Sequence, residues 1–469
     1  MRVANQIRIS KYEYEYPLIE KWCKSNLVIP NPEYIKKSRM GFWTADTPKT
    51  LTLYEKDGDD LVLPYGCFNE ILRLCPLMEQ VKMEFVDHKR VNYGCTIPLY
   101  DYQKKAVDAL VDNGKGILQS PAGSGKTQIA IATAVALGAK TLWLCHTLDL
   151  VKQSKDRAEQ YMSPSLTGTI SRGKVQIGKG ITFATVQTMC NLDLTKYRDV
   201  WDCIIVDECH RVSGTPTSVT MYSKVLNNLS ARHKYGLSAT VHRADDMIVA
   251  THSLLGQIAY RVPDSDVVDK VMTVSILTRA TGQGLNREFL DTDGTLIYSK
   301  LINFLADRCD RNELIVADLV ENRDHYNLIL SDRLSHLEYL MNHLPPDLRK
   351  QAVMVDGGMV TVKEKAMREQ AIEDMRQGRK RYLFATYSLA REGLDIPRLD
   401  RLYLTTPQKD YAVITQSIGR IARTFEGKSE PICYDYVDDG IQYLIRSYKK
   451  RCTSYRKLGC KFLCEEPTE

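Results

Sequence analysis

Short apolar runs alternate with stretches of helical periodicity along most of the chain, and the alternation changes character near residue 93. Ahead of that point, LTLYEKDGDDLVLP reads as two strands joined by a tight Asp-Gly turn, because glycine tolerates the positive φ such turns need. FNEILRLCPLMEQ follows with apolar residues at helical spacing and predicts a helix. Tyr12, Tyr14 and Tyr16 alternate as one face of a half-buried strand would. Residues 1–92 are therefore expected to form a small α+β domain. From 93 onward, GILQS, KTLWLCH, ITFAT and WDCIIVD are short runs rich in β-branched residues, the pattern of strands buried on both faces. Helical stretches such as TQIAIATAVALG lie between them. The pattern recurs in MTVSIL, YNLILS, QAVMVDG, RYLFAT, RLYLTT and PICYDYV. Strands alternating with helices predict doubly wound parallel sheets of the α/β class. Two are expected in tandem, over 93–262 and 263–440 and joined near 262–300, with a basic tail at 441–469.

Composition narrows the class without naming a function. The 469 residues are 43% hydrophobic and 26% charged, as in soluble globular proteins. No apolar run reaches the roughly 18–20 residues of a membrane span, and MRVANQIRISKYEYEY lacks a secretory h-region. An intracellular protein with no membrane partner is expected, in the cytoplasm or, for a viral source, the host cell. The 13 cysteines are scattered and form no CxxC pair, which suits reduced thiols. Cys452, Cys460 and Cys464 are too loosely spaced to read as a zinc site. The net charge of +6 is modest, but residues 441–461 hold seven Lys or Arg and no acid, with Tyr443, Tyr448 and Tyr455 interleaved. Such a segment is either a surface that tracks phosphates or a solvated basic helix.

Two segments carry chemistry. After the GILQS strand comes Ser120-Pro121-Ala122-Gly123-Ser124-Gly125-Lys126-Thr127, then a helix. Glycines let a backbone bend round a phosphate with its N–H groups inward, and the helix N-terminus adds its dipole. Lys126 is placed to meet β- and γ-phosphates and Thr127 to hold Mg²⁺. Ser120 replaces the first glycine of the strict G-x4-G-K-[ST] pattern. Downstream, WDCIIVDECH is an apolar strand ending in Asp207-Glu208-Cys209-His210. Asp207 can hold Mg²⁺ through its water shell, and Glu208 can orient and deprotonate an attacking water. ATP and Mg²⁺ are the expected cofactors.

Asp-Glu-Cys-His downstream of Gly-Ser-Gly-Lys-Thr resembles the DExH box of superfamily-two helicases, and the resemblance extends over about residues 97–440. It implies two RecA-like domains. Gly236-Leu237-Ser238-Ala239-Thr240 resembles the Ser-Ala-Thr motif that links hydrolysis to the nucleic-acid grip, with His210, Ser238 and Thr240 as coupling residues. ITFATVQ is similar to a strand and loop whose Thr185 and Gln187 meet the nucleic-acid backbone. ATYSLAREGLDIP resembles motif V, with Thr386 on nucleic acid and Gly393 and Asp395 near the nucleotide. Gln416-Ser417-Ile418-Gly419-Arg420-Ile421-Ala422-Arg423 matches motif VI, which implies that Gln416 belongs to the catalytic set and that Arg420 and Arg423 reach the γ-phosphate from the other lobe. A guanidinium fork can stabilise charge spread over the equatorial oxygens there.

Within the superfamily the resemblance is to the branch that includes XPB and the phage UvsW-type recombination helicases. Leu99-Tyr100-Asp101-Tyr102-Gln103 is similar to its L-R-x-Y-Q, in which Gln103 would select adenine. HRADD, with Arg243 toward nucleic acid, is like its H-R-A-D-G. NPEYIKKSRMGFW resembles the small DNA-contacting domain ahead of the motor in such phage proteins. Tyr100, Val241 and Asp246 depart from the usual Arg, Pro and Gly. The resemblance implies translocation along single-stranded, forked or branched DNA, with no base-reading module. The alternatives are an RNA helicase or remodeller, and a motor subunit beside a nuclease or polymerase partner.

Overall fold

The computed structural model describes residues 1–76, 81–121, 123–239, 247–263, 266, 271–284, 289, 296–359, 361–391, 394 and 396–463. The chain forms two compact units whose main division falls between Asp266 and Val267, with Gly123 and Ser124 grouped with the second. Among the described residues no helix is long and apolar enough to cross a membrane, and every described cysteine is a free thiol.

The first unit begins with a five-stranded sheet in the order Glu55–Asp57, Asp60–Pro64, Gln6–Ser10, Arg2–Val3, Lys82–Met83. Glu55–Asp57 and Asp60–Pro64 form the expected hairpin, with Gly58 at φ +58 in its two-residue turn. The LTL half of that segment does not belong to it. Thr50–Thr52 pairs with Val28–Pro30 in a separate small sheet. The helix Phe68–Leu74 stops at Cys75, because the residue before Pro76 is pushed out of helical ψ. The tyrosine alternation is not a strand face. The strand ends at Ser10, Tyr12 and Tyr14 are 80% and 94% exposed, and Tyr16 opens the helix Tyr16–Asn26.

Behind this small sheet lies an eight-stranded sheet in the order Lys174–Gln176, Thr167–Ser171, Ile181–Thr185, Thr141–Cys145, Cys203–Val206, His233–Ser238, Lys115–Gln119, Ile258–Arg261. All its pairings are parallel except the Lys174–Gln176 edge. Several consecutive strands land apart in the sheet, Lys115–Gln119 and Thr141–Cys145 among them, so the C-terminal ends gather loops distant in sequence, which is where such folds bind ligands. The small N-terminal domain shares a core with this one. Met247 and Ala250, at the start of the helix Ile248–Leu255, pack with Val3, Ile7, Ile9 and Phe68. Gly66 meets the same helix so closely that a Cβ there would lie 2.5 Å from Gly256 N and Ser253 O.

That junction also buries two lysines on neighbouring strands, Lys115 and Lys234, in register with each other. Lys115 Nζ lies 3.9 Å from the Tyr65 ring centre and 4.0 Å from that of Phe68. Burial holds both ammonium groups down at about 7, and for Lys115 the neighbouring Lys234 charge adds to the effect.

The second unit is a seven-stranded sheet in the order Ala352–Val355, Tyr382–Thr386, Asn327–Ser331, Arg401–Leu404, Ile432–Val437, Ser275–Ala280, Lys461–Phe462, parallel throughout. Residues 441–461, read as a basic tail, are part of this fold. Gln442–Lys457 is a helix that buries Leu444, Tyr448, Arg451, Cys452 and Tyr455, and Lys461–Phe462 then joins the sheet edge. Two of the three interleaved tyrosines thus serve the core. Each parallel domain is a RecA-like α/β layer structure of the kind the strand pattern predicted.

Candidate nucleotide and nucleic-acid site

The buried strand Lys115–Gln119 delivers the chain to Ser120, whose N–H donates to Ser238 O at 3.0 Å. Gly123 and Gly125 take φ of +82 and +79, a region open to glycine at little cost. A Cβ at Gly125 would also lie 2.5 Å from Gln103 Nε2, so space and backbone both require glycine. Gly125 caps the twelve-residue helix Lys126–Leu137, whose first amides and dipole favour an anion. Lys126 Nζ donates to Ser120 O at 3.2 Å and Pro121 O at 3.3 Å, folding over the loop's own carbonyls. Ser124 is buried and Thr127 half-buried beside it. Ala122 lies outside the described residues. Gln103 is 2% exposed, and its Oε1 accepts from Tyr100 N at 3.0 Å at the start of the helix Asp101–Asn113. The side chain assigned to adenine also braces the loop.

The fully buried strand Cys203–Val206 ends at Asp207, whose N–H donates to Leu144 O and whose Oδ1 accepts from Glu208 N at 3.0 Å. Burial raises the Asp207 pKa and the Glu208 charge adds to it, while the Lys126 charge works the other way. Glu208 sits at φ +49, a left-handed conformation that costs a non-glycine residue about 1–2 kcal/mol. The turn sets Glu208 Oε2 3.2 Å from His210 Nδ1, and that nitrogen is 3.3 Å from Ser238 Oγ. Glu208, His210 and Ser238 therefore form a string joining two loops. Close packing reinforces it, since a Cβ on Gly236 would lie 2.7 Å from Cys209 Sγ. Thr251, fully buried on the helix Ile248–Leu255, donates its hydroxyl to Val212 O at 2.6 Å.

One buried carboxylate and one hydroxyl in the first turn of the helix Lys126–Leu137 would suit Mg²⁺, which keeps several waters and takes its other ligands from substrate phosphates. Asp207 and Thr127 would hold it, and when bound it would neutralise charge on the β- and γ-phosphate oxygens.

The residues expected on nucleic acid divide differently. Thr185 is 5% exposed, and its Oγ1 caps the helix Val186–Cys190 by accepting from Thr188 N at 3.3 Å. Gln187 Nε2 donates to His146 O at 2.8 Å. Burial and the Arg211 charge lower the His146 pKa. In the second unit, Thr386 ends the strand Tyr382–Thr386 with Oγ1 3.0 Å from Ser388 Oγ. Arg420 donates from Nε to Ala390 O at 2.9 Å and from Nη1 to Leu394 O at 3.0 Å, tying its helix Tyr411–Ile421 to the preceding segment. Gln416 Oε1, on the same helix, is buried without a partner among the described residues. Arg423 is half-buried and its backbone bridges to Val271. Thr240, Val241, Arg243, Asp246, Gly393 and Asp395 lie outside the described residues.

Residues 96–243 match the family model described as the res subunit of type III restriction enzymes, and residues 311–425 match the conserved C-terminal helicase domain. The chain is a superfamily-two helicase. Among its relatives is the L396 protein of Acanthamoeba polyphaga mimivirus, named as an ATP-dependent RNA helicase, at 27% identity over 75% of this chain and 66% of that one. The D10 protein of Escherichia phage T5, named as a helicase, is 25% identical over 79% of this chain and 76% of its own length. The DNA 3'-5' translocase XPB2 of Sulfurisphaera tokodaii is 29% identical over 45% of this chain and 46% of its own. This helicase thus spans 66% of the mimivirus protein and less than half of the XPB-type translocase. The fold is shared with a fragment described as an HsdR subunit of a type I restriction enzyme from Vibrio vulnificus, at a TM-score of 0.55 and 15% identity over 92% of this chain and 80% of that one.

The resemblance named the loop and the DECH box but gave no sign of Thr251, whose hydrogen bond to Val212 O ties the segment after the box to a helix 39 positions downstream. Nor did the pattern of lysines mark Lys115 and Lys234 as buried, because both sit in strands where a charge reads as an edge position.

Proposed function

We propose that this ATP-hydrolysing helicase is a DNA translocase acting on single-stranded, forked or branched DNA in recombination, repair or replication, inside the cell or, for a viral source, the host cell. The observation that carries the reading is the Glu208–His210–Ser238 string. It joins the carboxylate placed to take a proton from water to the strand of the Ser-Ala-Thr motif, through which this family links hydrolysis to its grip. Gly123, Gly125 and the helix Lys126–Leu137 hold the phosphates by backbone N–H groups and dipole. Lys126 exchanges its loop carbonyls for phosphate oxygens. Arg420 and Arg423 supply guanidinium charge to the phosphoryl group in transfer, with Gln416 on the same helix. Thr185, Gln187, Arg243 and Thr386 are assigned to the nucleic-acid path, where phosphate contacts fix position without reading sequence. Likeness to the XPB2 translocase supports DNA as the substrate.

Two observations favour other readings. The mimivirus relative's name supports an RNA helicase. The restriction-enzyme family model supports a motor beside a nuclease partner. The deciding experiment measures ATP hydrolysis without nucleic acid and with single-stranded, duplex, forked and four-way DNA and RNA, beside Glu208→Gln. Strong stimulation by branched DNA, lost in the variant, supports the proposal. Stimulation by RNA alone replaces it with the RNA reading, and activity that appears only with a co-purified nuclease replaces it with the third.

A further inference from the structure

The helix Gln442–Lys457 buries one face and leaves the other open. The buried face is anchored by a bidentate pair, Arg451 Nε and Nη2 donating to the Asp435 oxygens at 2.8 Å each, and by Tyr455 OH donating to Asp435 Oδ2 at 2.7 Å. Tyr448 and Cys452 pack on the same side with Val437. At 100° per residue, Arg446, Lys449, Lys450, Arg456 and Lys457 all fall on the opposite face, and all five are exposed. Among the described residues no carboxylate pairs with Arg446, Lys449 or Lys450. The helix is thus a rail of cationic side chains fixed to the second unit at its back. From Arg446 to Lys457 it runs roughly 16 Å at about 1.5 Å per residue. That matches about five phosphates of one strand at roughly 3.4 Å of rise each.

We propose that this exposed face binds the sugar-phosphate backbone of duplex DNA, as a contact separate from the loops named above. The inference rests on the reading of the chain as a DNA motor. The structure decides the kind of contact. Of the three tyrosines that could have stacked on bases, Tyr448 and Tyr455 are in the core, and Tyr443 is half-buried with its hydroxyl accepting from Lys409 Nζ at 2.9 Å, so charge dominates what remains outside. A face dominated by charge grips phosphates and reads no sequence.

The test compares the wild-type chain with Arg446→Ala/Lys449→Ala/Lys450→Ala and with the charge-keeping Arg446→Lys/Lys449→Arg/Lys450→Arg. Affinity for a mixed-sequence DNA duplex is measured between about 50 and 200 mM salt. Removing three phosphate contacts should weaken binding and lower the slope of log K against log salt by roughly 2–3, at about 0.9 per contact. The charge-keeping variant should retain the wild-type slope. An alanine variant with the wild-type slope would overturn the proposal and make the stripe a solvated face. Equal loss in both triple variants would also overturn it, since packing rather than charge would then be responsible. If the wild-type chain itself binds RNA but no DNA, it is the parent reading that fails.

Discussion

Lys115→Met should stabilise the first unit, and the gain should shrink as pH rises. In the folded chain Lys115 is held at about 7 by burial and by the neighbouring Lys234 charge, against the ordinary lysine value of 10.5. A lysine whose folded pKa is depressed disfavours folding wherever the unfolded chain is protonated, because the fold must either release that proton or bury the charge. The penalty is therefore absent above about 10.5, grows as pH falls, and levels off below about 7, so stability rises with pH across that window. Each unit of pKa shift corresponds to about 1.4 kcal/mol. The full shift at Lys115 then costs about 4 kcal/mol at pH 7, and just under 3 kcal/mol remains at pH 8.5. Methionine keeps the apolar stem against Tyr65 and Phe68 and removes the proton question. Thermal unfolding of the two proteins at pH 7.0, 7.75 and 8.5 would read the difference. A unit of this size should show Tm raised by roughly 5–10 °C at pH 7. The difference should narrow by about a third at pH 8.5. Comparing variant with wild type cancels the buried thiols and tyrosines that titrate at higher pH. Were Lys115→Met to lower Tm equally at every pH, the ammonium would be charged in the fold and held by its two aromatic rings, and the burial argument would be wrong.

Three further changes probe the site and its supports. Gly125→Ala brings a Cβ against Gln103 Nε2 at a φ of +79, and should raise the ATP concentration for half-maximal hydrolysis by roughly tenfold or more; unchanged ATP binding in a filter or fluorescence titration would refute the steric reading. Ser238→Ala removes a partner of His210 and should leave ATP hydrolysis within a few-fold while strand displacement per ATP falls; equal loss of both would place Ser238 in hydrolysis itself. Gly66→Ala forces a Cβ into the backbone at Ser253 and Gly256, and overpacking of that kind costs about 1–3 kcal/mol. Early proteolysis of the N-terminal domain would reveal it, and a wild-type digestion pattern would show that the helix Ile248–Leu255 yields.

The sequence alone determined the parts whose chemistry is local. Glycines at 123 and 125, a lysine after them and a following helix make a phosphate-binding turn because positive φ and exposed N–H groups arise within seven residues. The runs LWLC and CIIV read as buried parallel strands because both faces are apolar, and burial needs no knowledge of the partner strand. The turn at Gly58 was legible for the same reason. Tertiary structure decided whatever depends on which residues meet. His210 and Ser238 lie 28 positions apart and touch only because the sheet places their strands side by side. A neighbouring pairing in the same sheet buries Lys115 beside Lys234. Nothing in the period of 441–461 said which tyrosines face inward. Asp435 did, by fixing Arg451 and Tyr455 on one side of the helix and leaving the lysines on the other. Tyr12 and Tyr14 failed as a strand because the neighbouring strand ends at Asp60, and beyond it their backbone has no ladder to join. Periodicity reports the preference of a segment for an environment; the environment is made by segments far away.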